Sequence, residues 1–258
     1  MRAKKEFGQH FLVQESIAEK LADALQPSGV EAIIEVGPGK GILTQYLLRQ
    51  PLPLYAVELD RDMIPILQKT FSGTPLHIVQ GDILSVRIDD IVGAETNFIV
   101  VGNFPYNISS QIVFLCLQYR SRVPFMAGMF QREMASRICS PPGSKEFGVI
   151  SVLVQAYYRP EFLFAVKPGS FNPPPKVQSS VISLTRYRSE IEGLSFQQLR
   201  RVVKIAFSQR RKKIRNTLKD LIPEDTLRDL QVVDMRPEQL TVEQFIILAK
   251  HALPAQPT

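Results

Sequence analysis

Two cysteines, Cys116 and Cys139, are too few for a disulfide scaffold or a zinc finger. They suit a reducing cytoplasm. The histidines are only His10, His77 and His251, with no His/Cys cluster, so no metal site is expected. No apolar stretch approaches the roughly 18–20 residues needed to cross a bilayer. The basic start, Met1 to Glu6, is not followed by an apolar signal core. Acid is missing in one telling place: from Ser195 to Lys219 there are nine Lys/Arg and no Asp or Glu. The whole chain holds 31 basic and 25 acidic residues; without that segment 22 basic residues remain, a net of −3. One stretch therefore carries the basic character. It points to a polyanion, either nucleic acid or an anionic membrane surface.

What is present is ordinary in amount and informative in order. With 258 residues, 45% hydrophobic and 22% charged, the chain can bury a sizeable core as one large domain or a large one plus a small one. Apolar runs at 32–36, 54–58, 76–79, 98–102 and 125–130 read as buried strands. Helical patterns at 17–25, 43–49, 63–71 and 111–119 separate them. This alternation predicts a parallel sheet with helices on both faces. Residues 149–158 and 181–187 read as strands that complete the sheet in antiparallel fashion. From about residue 190 the pattern becomes helical, at 196–207, 212–221, 224–230 and 242–252. The expected division is an α/β domain over 1–189 and a small all-helical domain over 190–258.

In such sheets ligands bind beyond the carboxyl ends of the strands. The first of these strands runs into Glu35-Val36-Gly37-Pro38-Gly39-Lys40-Gly41, where glycines permit a tight turn and close approach by a ligand. Glu58 ends the second, where an acid binds ribose hydroxyls. Asp82 follows the third, before Ile83, and Asn103-Phe104-Pro105-Tyr106 follows the fourth. A dinucleotide site uses the first two ends and leaves the others idle. An S-adenosylmethionine site uses all four. The Asn103 side-chain oxygen and the Phe104 carbonyl suit a planar amino group, such as that of adenine, whose hydrogens need acceptors. Pro105 stiffens the loop and biases Phe104 toward an extended conformation. Tyr106 can stack on a base, and Phe171, before Pro173-Pro174-Pro175, is a second candidate for gripping it or else a plug beneath the turn.

On these segments the sequence resembles the KsgA/RsmA family of ribosomal RNA adenine dimethyltransferases. The resemblance runs over nearly the whole chain: Lys5 to Leu12, Glu35 to Gly41, Val57 to Asp60, Gly81-Asp82, Gly102 to Ser109, Phe171 to Val177, and Arg210-Arg211-Lys212. It implies a Rossmann-like class I S-adenosylmethionine methyltransferase sheet with a helical C-terminal domain. It implies dimethylation of N6 on two adjacent adenosines in the 3′-terminal hairpin of small-subunit (16S) rRNA, with S-adenosylhomocysteine as product and no metal. The donor-binding positions fall on His10, Leu12, Gly37, Glu58, Asp82, Ile83 and Asn103. The catalytic positions fall on Asn103, Phe104, Pro105, Tyr106 and Phe171. Bacterial members commonly carry Asn where His10 stands and Leu where Phe104 stands. Lys4 and Lys5, on an N-terminal arm, and Arg210, Arg211, Lys212 and Lys213 are expected to contact RNA phosphates. The expected partners are small-subunit rRNA and the assembling 30S particle, for a cytoplasmic monomer that does not engage a membrane. Three readings compete with this one. They are an assembly factor without activity, a DNA adenine or protein glutamine methyltransferase, and a dinucleotide oxidoreductase.

Overall fold

The computed structural model of the protein describes residues 9–26 and 28–254. Lys4 and Lys5 lie outside the described residues. The described chain divides into two compact units: one takes residues up to Ala135 with Pro160–Arg186, the other Ser136–Arg159 with residues from Tyr187 onward. The later boundary lies close to the expected break near 190. The second unit, however, also takes in residues 136–159.

The first unit is built on a seven-stranded sheet. Its strands are β2 (Ala32–Val36), β3 (Leu54–Glu58), β4 (Leu76–Gln80), β5 (Phe98–Asn103), β6 (Phe125–Gln131), β7 (Tyr158–Val166) and β9 (Ser179–Arg186). They lie in the order β4-β3-β2-β5-β6-β9-β7. β4, β3, β2, β5 and β6 are parallel, and β9 runs antiparallel to β6. Every residue of β2 is buried, as are Phe98 to Gly102 of β5. That is why these strands read as unbroken apolar runs: helices cover a parallel sheet on both sides. The helices are α1 (Glu15–Asp23), α2 (Thr44–Leu47), α3 (Ile64–Thr70), α4 (Ile88–Val92) and α5 (Ser109–Gln118), with α6 (Arg132–Cys139) leading into the second unit. Two short strands, β1 (Phe11–Leu12) and β8 (Phe171–Asn172), pair separately, Phe11 with Asn172 and Leu12 with Phe171. From β2 the chain steps to β3 and β4 on one side, then returns to β5 on the other. This reversal leaves a crevice at the carboxyl ends of the central strands.

One expectation for this region needs correction. Residues 149–155 are not a strand but a helix, α7 (Val149–Gln155), and the strand begins only at Tyr158. The Ser151 hydroxyl accepts from the Gly148 N–H at 2.9 Å, and Ser151 to Val154 are all buried. A helix buried on all sides is apolar on all sides, so its run of valines looks the same as a buried strand. β7 itself carries Arg159, Pro160 and Glu161, and it lies at the sheet edge, where proline is tolerated.

The second unit is helical: α7, α8 (Phe196–Ser208), α9 (Ile214–Thr217), α10 (Glu224–Asp229) and α11 (Val242–Lys250). Ser195 starts α8 with a reciprocal cap, its hydroxyl accepting from Gln198 N–H at 3.2 Å while Gln198 Oε1 accepts from Ser195 N–H at 3.0 Å. Thr241 and Gln244 repeat the device for α11. The core gathers Leu199, Val202 and Val203 of α8 with Phe245 and Leu248 of α11, and Phe207 stacks on Phe245 at 5.7 Å. Only four residues of the expected helix over 212–221 are α-helical.

Candidate active site

The crevice at the carboxyl ends of β2 to β5 is one cleft, and the expected donor residues line it together. His10, Leu12, Gly37, Glu58, Asp82, Ile83 and Asn103 all reach its wall, as do Phe104, Pro105 and Tyr106. Gly39 has a positive φ of 57°, and a side chain there would meet the Phe11 ring at 3.0 Å. Glycine therefore serves both the turn and the close cover of residues 9–12.

Glu58 is buried, and each of its oxygens is placed by the backbone. One accepts from Gly39 N–H at 2.9 Å and the other from Asp60 N–H at 2.8 Å. Burial pushes its carboxyl above the usual range, while those two N–H groups pull it down. A carboxylate oxygen accepts more than one hydrogen bond, so Glu58 is fixed and still able to receive ribose hydroxyls. Asp82 accepts from Leu84 N–H at 3.0 Å, which holds the turn after β4. The donor set, with two acids beside side-chain-free backbone and the apolar Leu12 and Ile83, fits S-adenosylmethionine.

Asn103 is oriented by a contact that spacing alone does not reveal. Its Nδ2 donates to the His10 carbonyl at 2.8 Å, which leaves Oδ1 as the open acceptor. The Phe104 ring turns inward, 1% exposed, against Phe130 at 5.1 Å, so its backbone carbonyl is what the loop presents. Tyr106 is pinned by a hydrogen bond between its hydroxyl and Ser179 Oγ at 2.5 Å.

Phe171 differs from its expected place. It is 3% exposed, belongs to the hydrophobic core with Leu12, Ile17 and Leu21, and does not line the cleft. Its strand pairs with Leu12, and both side chains belong to the same hydrophobic core. The basic cluster divides as well. Arg210 lies 3.8 Å from Glu238 and donates to the Ser144 carbonyl at 3.3 Å. Lys213 and Arg215 share Asp234 at 2.9 and 3.0 Å. Arg211 and Lys212 are exposed and have no acid partner among the described residues.

One residue of the glycine motif was missed as a site residue. Glu35, 1% exposed, lines the cleft and accepts from the Thr44 hydroxyl at 2.7 Å. Burial pushes its carboxyl up to about 8; Glu58 adds to this and Thr44 opposes it. The signal was an acid inside the otherwise apolar β2. A carboxyl raised in the folded state binds more protons than the unfolded chain between its two pKa values. Its stabilising contribution is therefore complete in acid and lost as pH rises toward about 8. Glu35→Gln is thus expected to raise the melting temperature relative to the parent at pH 8.5 and to lose that advantage near pH 5. Thermal melts of both proteins across this range check it, and a pH-independent difference would contradict it.

A family model described as "Ribosomal RNA adenine dimethylase" matches residues 1–252. The chain belongs to the ribosomal RNA adenine dimethylase family. Members of this family use S-adenosylmethionine to dimethylate adenine in ribosomal RNA. The chain is 45% identical over 250 residues to a ribosomal RNA small subunit methyltransferase A of Flavobacterium johnsoniae, covering 97% of this chain and 95% of that one. It is 44% identical to the protein of the same name from Porphyromonas gingivalis, covering 96% of each. Among solved structures, a dimethyladenosine transferase from Plasmodium falciparum aligns with a TM-score of 0.80 at 24% identity, over 93% of this chain and 96% of that one. The 23S rRNA methyltransferase ErmE aligns at 0.73 and 25% identity, over 93% and 98%. The sheet unit has the class I methyltransferase fold, and the similarity to these two structures covers 93% of the chain, reaching residues of both units. Among the described residues, no helix is long and apolar enough to cross a membrane.

Proposed function

We propose that this dimethylase modifies N6 of two adjacent adenosines in the 3′-terminal hairpin of small-subunit rRNA, twice each, on the assembling 30S particle. The observation that carries this reading is the single cleft in which Glu58 and Asp82 face the Asn103–Tyr106 loop. In this reading Gly37 and Leu12 hold the methionine part of S-adenosylmethionine, Glu58 the ribose, and Asp82 with Ile83 the adenine. The donor supplies an electrophilic methyl group. Asn103 Oδ1 and the Phe104 carbonyl accept from the hydrogens of the target amine and stabilise the charge that builds on it, as preorganised dipoles do. Pro105 fixes the loop, and Tyr106 stacks on the base that has left its helix, worth roughly 1–3 kcal/mol. Of the two rings expected to grip the base, Tyr106 alone is proposed for that role, because Phe171 is core. The enzyme acts as a cytoplasmic monomer.

The test is mass spectrometry of unmethylated small-subunit RNA after reaction, reading position and methyl count. Two neighbouring dimethyladenosines are expected. Methylation elsewhere would overturn the substrate assignment, and no incorporation would leave a binding protein of the same fold. For the RNA surface, Arg211 and Lys212 are the proposed phosphate contacts, whereas Arg210 and Lys213 serve within the second unit. Replacing Arg211 and Lys212 with alanine is expected to flatten the salt dependence of RNA binding by up to about one unit of log–log slope for each lost contact. S-adenosylhomocysteine affinity should stay unchanged. An unaltered slope in filter-binding titrations would reject this placement.

A further inference from the structure

Residues 9–12 form a strap over the cleft. Gln9 Nε2 donates to Asp60 at 2.9 Å, the His10 carbonyl accepts from Asn103, and the Phe11 ring sits against Gly39. None of these contacts uses the His10 side chain. The imidazole has separate engagements: it stacks on Tyr106, with centroids 5.4 Å apart and planes inclined by 28°, and its Nδ1 hydrogen-bonds the Pro173 carbonyl at 2.8 Å. Tyr106 is the fixed member of this pair, tied to Ser179 at its hydroxyl. His10 is the movable one, because its hydrogen bond is on the exposed side.

An imidazole on the face of a tyrosine is a flat, nitrogen-bearing ring lying where a flat, nitrogen-bearing base would lie. No base can enter between two rings already in stacking contact. We propose that His10 is a displaceable stand-in for the target adenine, closing the Tyr106 slot in the RNA-free enzyme and swinging off it when the base docks. This rests on the reading of Tyr106 as the stacking surface. The base must replace both the ring stack and the Pro173 hydrogen bond, so an adenine that its RNA presents poorly is rejected. In this chain, the His10 side chain therefore acts as a specificity-determining group on the acceptor side of the cleft.

The enzyme has three histidines in all, so its imidazole proton resonances are few, and the missing signal in His10→Asn identifies that of His10. In the RNA-free protein that resonance should be displaced upfield by the Tyr106 ring. Adding unmethylated small-subunit RNA with S-adenosylhomocysteine should return it toward the position of a free imidazole. His10→Ala should lower the KM for RNA by about twofold to tenfold, the range of one aromatic pair. An upfield shift that persists in the RNA complex or a KM that rises would each overturn the assignment. Parent enzyme that adds no methyl groups to this RNA would sink the functional reading, and this inference with it. Parent enzyme that methylates while the shift persists would sink this inference alone.

Discussion

Asn103→Ala is expected to lower kcat by about 100- to 1000-fold, the usual cost of removing one preorganised polar group at a reacting centre. RNA affinity should change far less. The asymmetry follows from position. Asn103 ends β5 opposite Met129 of β6, so its backbone is fixed by the sheet. Its Nδ2 is committed to the His10 carbonyl, so only Oδ1 faces the amine. In the proposed chemistry, alanine removes the acceptor that meets the charge building on the nitrogen and leaves the proposed phosphate contacts, Arg211 and Lys212, untouched. Single-turnover kinetics with saturating RNA, alongside equilibrium RNA binding, separate the two effects. Near-parental single-turnover rates would refute the proposed chemistry. Asn103→Asp should fare little better, because its carboxylate faces the His10 carbonyl and cannot donate to it.

Gly128→Ala is the second large effect. Gly128 sits in β6 opposite Gly102 of β5, and the Phe104 ring lies over both. A methyl group added at Gly128 would come within 2.7 Å of three Phe104 ring carbons, and the ring, 1% exposed against Phe130, has no room to retreat. The cost is that of overpacking, about 1–3 kcal/mol, and the only relief is to move the Asn103–Tyr106 loop. Stability by denaturant titration and kcat should fall together. Phe104→Leu, with a smaller side chain, should recover much of both in the Gly128→Ala background. Additive losses in the double variant would show that the ring and the glycine do not oppose each other.

These two glycines also show what the sequence made visible and what it hid. The strand at 98–102 and the loop after it were legible, because an apolar run buried on both faces ends in an unmistakable Asn-Phe-Pro-Tyr. That Phe104 anchors the loop by its side chain, on a glycine of the next strand, was not. Side-chain direction at a strand end depends on the neighbouring strand. The alternating strands and helices from 32 to 130 were readable from period alone, whereas α7 was not, since its valines face protein all round. Phe171 before a proline run reads the same whether it grips a base or plugs a core, and only its pairing with Leu12 decides the matter. The partners of Arg210 and Lys213, Glu238 and Asp234, lie on later turns that charge counting cannot connect to them. Glu35 was visible as a letter of the motif, but its raised pKa comes from burial.

The strap has a consequence for the timing of synthesis. His10 meets Asn103 across 93 residues and Pro173 across 163. When a translating ribosome has just released Tyr106, every residue proposed to hold the donor has been made, but the strap lacks its pairing strand, because β8 has not. At roughly 5–20 residues per second the strand that secures the strap appears several seconds later. The catalytic centre is thus completed by one of the longest-range closures in the first unit, well after the sheet that carries its chemistry begins to fold. A chain cut short before Phe171 would keep nearly every residue assigned to the methyl donor and lack the strand that holds their lid.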